Sequence, residues 1–295
     1  MTSLSPRAVS AGIPASTSIT SYLPAYWRQG RNVSKITFTN LLTHTSGLTS
    51  EDPSFESMKS SIASDVTVGG YQYANVNFSL CRILLSVLNG NVAANFETGL
   101  ADLFGGMFAA FVDVTWDLVT ITVFQQYVAA NVFSPSASGA HVVHQPTDAL
   151  AYDFPTSAGE IGWDDGDLAT WSGAAAWHMS VNQLLSIMGT FRRGGTIVSS
   201  QQAQTMLDNG FGIDWTVGTS AGGSYYAKNG LFWTASSNNS WQTEQGVAFY
   251  LPEDMELVVL VNSPVGVVPN STPPPLTFGE FLYSVVSDVY EANLA

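Results

Sequence analysis

Residues 36–48 read Ile36-Thr37-Phe38-Thr39-Asn40-Leu41-Leu42-Thr43-His44-Thr45-Ser46-Gly47-Leu48. The β-branched start, Ile36 to Thr39, predicts a short strand. Asn40-Leu41-Leu42 then starts a short helix, with Gly47 as its C′ glycine. Upstream, residues 1–35 are rich in Ser, Pro and Gly around one apolar patch, Ile19 to Trp27. Downstream, residues 78–89 carry an apolar helical pattern closed by Asn89-Gly90.

Farther out, Leu118, Ile121, Phe124, Val128 and Val132 recur at helical spacing. Ser180 with Gln183 forms a capping box. It opens a helix through Leu184, Leu185 and Met188 that Gly194-Gly195 stops. The C-terminal third changes period. Ser224 to Ala227, Gly246 to Leu251 and Leu257 to Val261 read as strands, and Pro252-Glu253-Asp254-Met255 is the turn of a hairpin. After Pro273-Pro274-Pro275 comes a helix bearing Phe278, Phe281, Leu282, Val285, Val286 and Val289. The predicted class is α+β: an antiparallel sheet flanked by helices, plus a mostly helical lobe. The predicted organisation is one domain over 1–295. Residues 48–222 form the helical lobe, and 1–47 with 223–295 form the sheet lobe and its C-terminal helix.

Composition narrows the function. The chain has 295 residues, 45% of them hydrophobic and 11% charged, the balance of a globular protein. Nine Lys and Arg against 23 Asp and Glu leave a net charge of −14. A surface of that sign repels phosphate backbones, so neither nucleic acid nor an anionic membrane surface is expected as a partner. The most apolar stretch, Leu100 to Phe124, is broken by Asp102, Asp113 and Asp117 and makes a poor membrane span. Met1 to Arg7 contains no continuous apolar run of a signal peptide. The single cysteine, Cys81, excludes an internal disulfide and sits in a helical pattern that reads as core. No phosphate loop or dinucleotide fingerprint appears, so no cofactor is expected.

Three short words carry chemistry. Tyr73 and Asn75 stand two apart, and a tyrosine near an ammonium can serve as general base. Lys228 supplies such an ammonium. Gly230 lets a ligand lie close along a strand edge, and the Leu231 N–H can face a developing oxyanion. Each word alone is commonplace.

Their order and context are not. Residues 36–48 closely resemble a signature segment of the β-lactamase-related serine hydrolases, a family of class C β-lactamases, DD-peptidases, D-amino-acid peptidases and esterases. Tyr73-Ala74-Asn75 resembles the family's Tyr-x-Asn element, and Val128 to Pro135 the helix end that follows. Ser172 to Leu185 resembles its small-residue turn and helix, and Phe211 to Trp215 and Gly246 to Asn262 its closing strands. Residues 90–116 fit poorly and read as an insertion. The resemblance implies acyl transfer on a small-molecule or peptide substrate that is an amide, lactam or ester. It also implies a β-lactamase/transpeptidase-like fold; members of the family are often extracytoplasmic. Tyr73 would be the base or proton relay, and Asn75 would hold the acyl side of the substrate. Lys228 would bias the tyrosine and bind a carboxylate, and Leu231 would complete half of an oxyanion hole beside Gly230. His44, Ser46 and Gly47 would shape a turn, Ser46 as an exposed serine.

The family's nucleophile does not appear. Its Ser-x-x-Lys places serine and lysine on one helix face so that lysine takes the proton. No serine here has a lysine three residues later; Ser57 precedes Lys59 by two and Ser34 directly precedes Lys35. By alignment the word falls at or before Met1. The sequence therefore predicts an N-terminally incomplete member, inactive as this chain. Two alternatives stand beside it: a nucleophile-free homologue that binds a peptide or acyl ligand, and an incompletely folded fragment. Asp164, Asp165 and Asp167 read as a solvated acidic turn, and His141 and His144 as surface histidines with no third ligand nearby, so no metal is expected.

Overall fold

The computed structural model describes residues 12–96, 106–152, 161–218, 223–235, 241–263, 288–290 and 292–293. The chain divides into two compact units. The first comprises Met1–Ser136 with Leu168–Trp177, and the second Ala137–Asp167 with His178–Ala295. The lobes read from sequence cut the chain elsewhere. Residues before His44 join the helical unit, because Ile19, Leu23, Ile36 and Leu41 lie in one buried cluster with Leu80, Ile83 and Trp116.

In the first unit the expected strand at Ile36–Thr39 does not form. Thr37 is instead the N-cap of helix α1, Phe38–Leu42. The Asn40 N–H donates to the Thr37 hydroxyl, and the Asn40 carboxamide oxygen accepts from Thr37 N–H. This local pairing outcompetes a ladder, of which a lone bridge between Ser18 and Thr37 remains. The helix ends at Thr43, before Gly47, and His44 adopts a left-handed backbone with φ 53°. Gly47 serves a different end. It has φ 80°, and a Cβ there would stand 2.4 Å from the Thr67 carbonyl oxygen.

Helix α2, Phe55–Ala63, is capped by Ser54 and buries Phe55, Met58 and Ile62. Helix α3, Val76–Leu88, ends at Asn89-Gly90 and is buried on most of its surface. Helix α4, Gly106–Val128, runs into a wider turn over Ala129–Phe133. Trp116 of α4 is fully buried, and its indole N–H donates to the Phe96 carbonyl at 3.0 Å. Arg82 of α3 is also fully buried and reaches Asp117 of α4 at 2.5 Å. Burial lowers the Arg82 pKa, and the Asp117 carboxylate opposes that shift.

Among the described residues the second unit is built on a four-stranded antiparallel sheet in the order β1-β2-β3-β4. The strands are β1 Trp215–Gly218, β2 Ser224–Ala235, β3 Trp241–Tyr250 and β4 Glu256–Val261. One face buries Tyr225, Ala227, Val247 and Phe249 against Tyr290. Helix α5, Val181–Gly189, begins at the Ser180–Gln183 capping box and packs on β4. Its continuation, Thr190–Gly194, stops at Gly195 with φ 68°. Helix α6, Ser200–Asp208, opens on a second capping box, Ser199 with Gln202. The β3–β4 turn places Glu253 and Asp254 at φ 56° and 59°. Arg192 donates to the Leu251 and Met255 carbonyls at 2.7 and 3.2 Å, and Arg193 to the Asp254 carbonyl at 2.7 Å and to the Glu256 carboxylate. Most of the helix expected after Pro275, including Phe278 to Val286, lies outside the described residues. None of the described helices is long and apolar enough to cross a membrane.

Candidate functional site

The left-handed turn at His44 folds the His44-Thr45-Ser46-Gly47 word against the Tyr73-Ala74-Asn75 word within the first unit. Ala74 N–H donates to His44 Nδ1 at 3.3 Å, and the Asn77 carboxamide nitrogen lies 3.2 Å from the same atom. Both approach as donors, which makes Nδ1 the acceptor. Gln72 N–H donates to the His44 carbonyl at 2.8 Å. The imidazole stacks on Tyr73 with ring centres 4.4 Å apart and meets the edge of Phe78 at 4.6 Å. Ser46 is not the exposed serine expected from sequence. It is fully buried, because its hydroxyl donates to Asn77 Oδ1 at 2.5 Å and accepts from Leu48 N–H at 3.1 Å.

This scaffold leaves Tyr73 42% exposed, with its hydroxyl donating to Asn75 Oδ1 at 3.2 Å. Asn75 precedes the first turn of α3. Its N–H donates to Glu51 Oε2 at 3.0 Å and its side-chain nitrogen to the Glu51 carbonyl at 3.4 Å. The pair Tyr73–Asn75 is thus a phenol and a carboxamide held on one rigid helix entrance. Cys81, one turn into α3, is only partly buried as a residue, yet the chain around its sulfur pushes the thiol up to about 12.

Lys228, Gly230 and Leu231 lie together on β2 in the second unit. Lys228 Nζ donates to Asp214 Oδ1 at 2.8 Å, and Asn229 N–H donates to the other carboxylate oxygen at 2.8 Å. Asp214 immediately precedes β1, and its own N–H donates to the Ala227 carbonyl at 2.9 Å. β1 pairs only with Ser224 to Ala227, whereas β3 pairs with β2 from Tyr226 to Ala235. Among the described residues β2 is therefore laddered on one side alone from Gly230 onward. Backbone groups of alternate strand residues point to the same edge. Asn229 N–H points toward Asp214, so Leu231 N–H points to that same, uncovered edge. Gly230 lies opposite Gly246, and a Cβ on Gly230 would meet only the Gly246 oxygen, 4.0 Å away.

A separate cluster occupies the segment 141–167 of the second unit. The readings of His144 as a surface histidine and of Asp165 as a solvated turn residue are corrected here, whereas the His141 side chain is 33% exposed. The side chains of His144, His178 and Asp165 are 10%, 12% and 3% exposed. Backbone bridges His141–His178 and Val143–Asp167 draw the residues inward. Glu244 on β3 is hydrogen-bonded to Asp165, and burial, reinforced by the charges of Asp165 and Asp148, pushes its carboxyl up to about 7. Sequence reasoning paired the two nearby histidines and missed His178, which only the bridge to His141 brings alongside. The alternation His141-Val142-Val143-His144, with a buried Val142, was the available signal.

Residues 7–276 match the family model of the β-lactamases. No curated protein matches the chain. Among solved structures the fold is similar to FmtA from Staphylococcus aureus, with TM-score 0.61, 12% identity, and coverage of 97% of this chain and 71% of that one. It is similar to the penicillin-binding protein from Bacillus halodurans, with TM-score 0.58, 15% identity, and coverage of 96% and 81%. The octameric penicillin-binding protein homologue from Pyrococcus abyssi gives TM-score 0.58, 14% identity and 95% coverage, and this chain spans 62% of its length. A family match that runs from residue 7 through the strands bearing Lys228 and Gly230, together with an antiparallel sheet and helices in the arrangement of penicillin-binding proteins, means that the chain belongs to the β-lactamase family.

Proposed function

We propose that this chain recognises a carboxylate-bearing acyl ligand (a lactam, a peptide or an ester) through the acyl-transfer elements of its family. We further propose that the 295-residue polypeptide turns such a ligand over negligibly. In this reading Lys228 binds the ligand carboxylate, and Gly230 lets the ligand lie along β2. Leu231 N–H donates to the acyl oxygen, Asn75 holds the acyl side chain, and Tyr73 is the base or proton relay. The observation that carries the reading is the run of β2 from Gly230, laddered among the described residues by β3 alone, with Leu231 N–H directed to its other edge and Lys228 fixed beside it by Asp214. An extended ligand can add to such an edge as a further strand. What supports negligible turnover is that none of the chain's lysines follows a serine by three.

Thermal unfolding with benzylpenicillin and with an acyl-D-alanyl-D-alanine peptide tests the recognition. The melting temperature is expected to rise with ligand concentration and to stop doing so in Lys228→Ala. No shift with any carboxylate-bearing acyl ligand would refute it. Nitrocefin and p-nitrophenyl esters test the chemistry, with turnover expected at the buffer rate. Robust hydrolysis abolished by Tyr73→Phe would mean that another serine serves as nucleophile.

The absent Ser-x-x-Lys also favours a second reading, a binding protein that never forms an acyl-enzyme. Ligand-induced stabilisation without a mass shift supports it. A covalent fluorophosphonate adduct, seen by mass spectrometry, removes it.

A further inference from the structure

Three of the chain's four histidines meet two aspartates and a glutamate in the second unit. Three polar atoms of this group, His144 Nδ1, Asp165 Oδ1 and His178 Nε2, are buried and make no hydrogen bond among the described residues. One such orphan is costly in a folded interior, and three converging on one place ask for a common partner.

We propose that His144, Asp165 and His178 form a binding site for a divalent transition-metal ion of the zinc class. Their ligand atoms all lie within 4.8 Å of one another. Asp165 Oδ1 stands 3.7 Å from His144 Nδ1 and 3.5 Å from His178 Nε2. Those separations are too long for the N–H···O bonds of a directly paired cluster. They are close to the spacing of ligands around a shared centre, because bonds of about 2.0–2.1 Å in a tetrahedron put neighbouring donors about 3.3 Å apart. Two imidazole nitrogens and one carboxylate oxygen suit zinc, whereas calcium and magnesium select all-oxygen sites.

The surroundings are those of a metal site. His178 Nδ1 faces Asp148 Oδ2 at 3.7 Å, so with Nε2 given to the ion the ring proton points to a carboxylate. Asp148 is itself held, accepting from His141 Nε2 at 2.7 Å and from Gln145 N–H at 2.8 Å. The ligand-bearing segments are laced together by backbone bonds. His178 N–H donates to the His141 carbonyl at 2.8 Å, and His144 N–H to the Gly166 carbonyl at 2.9 Å. Bound there, the ion would tie His144 and Asp165 to His178.

The test uses the full chain without an affinity tag, stripped by chelator and titrated with zinc chloride in a calorimeter. One equivalent per chain is expected, with a melting temperature that rises with zinc. The double variant His178→Gln/Asp165→Asn should bind at least ~100-fold more weakly, and Asp148→Asn about 10–100-fold more weakly. No stoichiometric uptake, or wild-type affinity in the double variant, overturns the proposal. Should that variant fail to fold, X-ray absorption of the zinc-loaded wild-type protein decides. Scattering from two imidazole rings supports the site, and a shell without imidazole overturns it. Neither readout involves an acyl ligand, so failure here leaves the proposed acyl recognition untouched, and the reverse.

Discussion

Replacing Asn77 by alanine should loosen the Tyr73-Ala74-Asn75 segment more than any change at Tyr73 itself. The Asn77 carboxamide is fully buried. Its nitrogen bonds His44 Nδ1 at 3.2 Å and the Ala74 carbonyl at 3.1 Å, and its oxygen accepts from Ser46 at 2.5 Å. Three of its four hydrogen-bonding positions are thus used to tie the turn after α1 to the entrance of α3. Net contributions near 1 kcal/mol per bond give about 3 kcal/mol. The orphaning penalty is softened, because His44 Nδ1 keeps its bond from Ala74 N–H and the Ala74 carbonyl keeps the one from Asn77 N–H. We therefore expect a loss of about 2–3 kcal/mol, concentrated in residues 44–48 and 72–78. Amide hydrogen exchange by mass spectrometry resolves this locally, and such a loss accelerates exchange in those peptides roughly 30- to 150-fold. Peptides from β2 and β3 serve as the internal control. Unchanged protection in 72–78 would show that the His44–Asn77–Ser46 network does not hold the segment in place.

Removing the Asp117 carboxylate with Asp117→Ala should cost about 3–5 kcal/mol, because it strands the Arg82 guanidinium in the core. The double change Arg82→Met/Asp117→Leu should cost far less in the same urea titration, and equal losses would contradict the account. Stability should also depend on pH through Glu244, pushed from an ordinary 4.5 up to about 7 in the folded state. The folded protein then holds this proton more tightly than the unfolded one, so the contribution is full below pH 4.5, falls as pH rises, and is gone above about 7. Allowing for partial exposure, the loss is about 1–2 kcal/mol. In chelator-treated protein Glu244→Gln should flatten the melting-temperature profile between pH 5 and 8; a parallel profile would place the proton elsewhere.

Much of this fold was legible where local chemistry and long-range packing agree. The Ser180–Gln183 box, the Asn89-Gly90 helix stop and the turn at Pro252–Met255 each stand as the sequence indicates. Ile36–Thr39 misled because β-branching and capping compete for the same threonine, and one side-chain bond to Asn40 decided between them. The three motif words stand out in the sequence. Their supports were not, since Asp214 under Lys228 and Asn77 under His44 are polar residues given meaning by tertiary contact alone. The histidine cluster was the least legible. His141 and His144 looked like a solvated pair until a backbone bridge brought in His178.

The β3–β4 turn bears on how this sequence can diverge. Two non-glycine residues in left-handed backbone carry strain of order 1 kcal/mol each, and nothing in Glu253 or Asp254 relieves it locally. The relief comes from Arg192 and Arg193, in the continuation of α5 over Thr190–Gly194, whose guanidinium groups bind the Leu251, Asp254 and Met255 carbonyls around the turn. Positions 192, 193, 253 and 254 are therefore one heritable unit. A drift to Asn-Gly at the turn would free the arginines to vary, whereas loss of an arginine first would leave a hairpin that the chain has reason to repair.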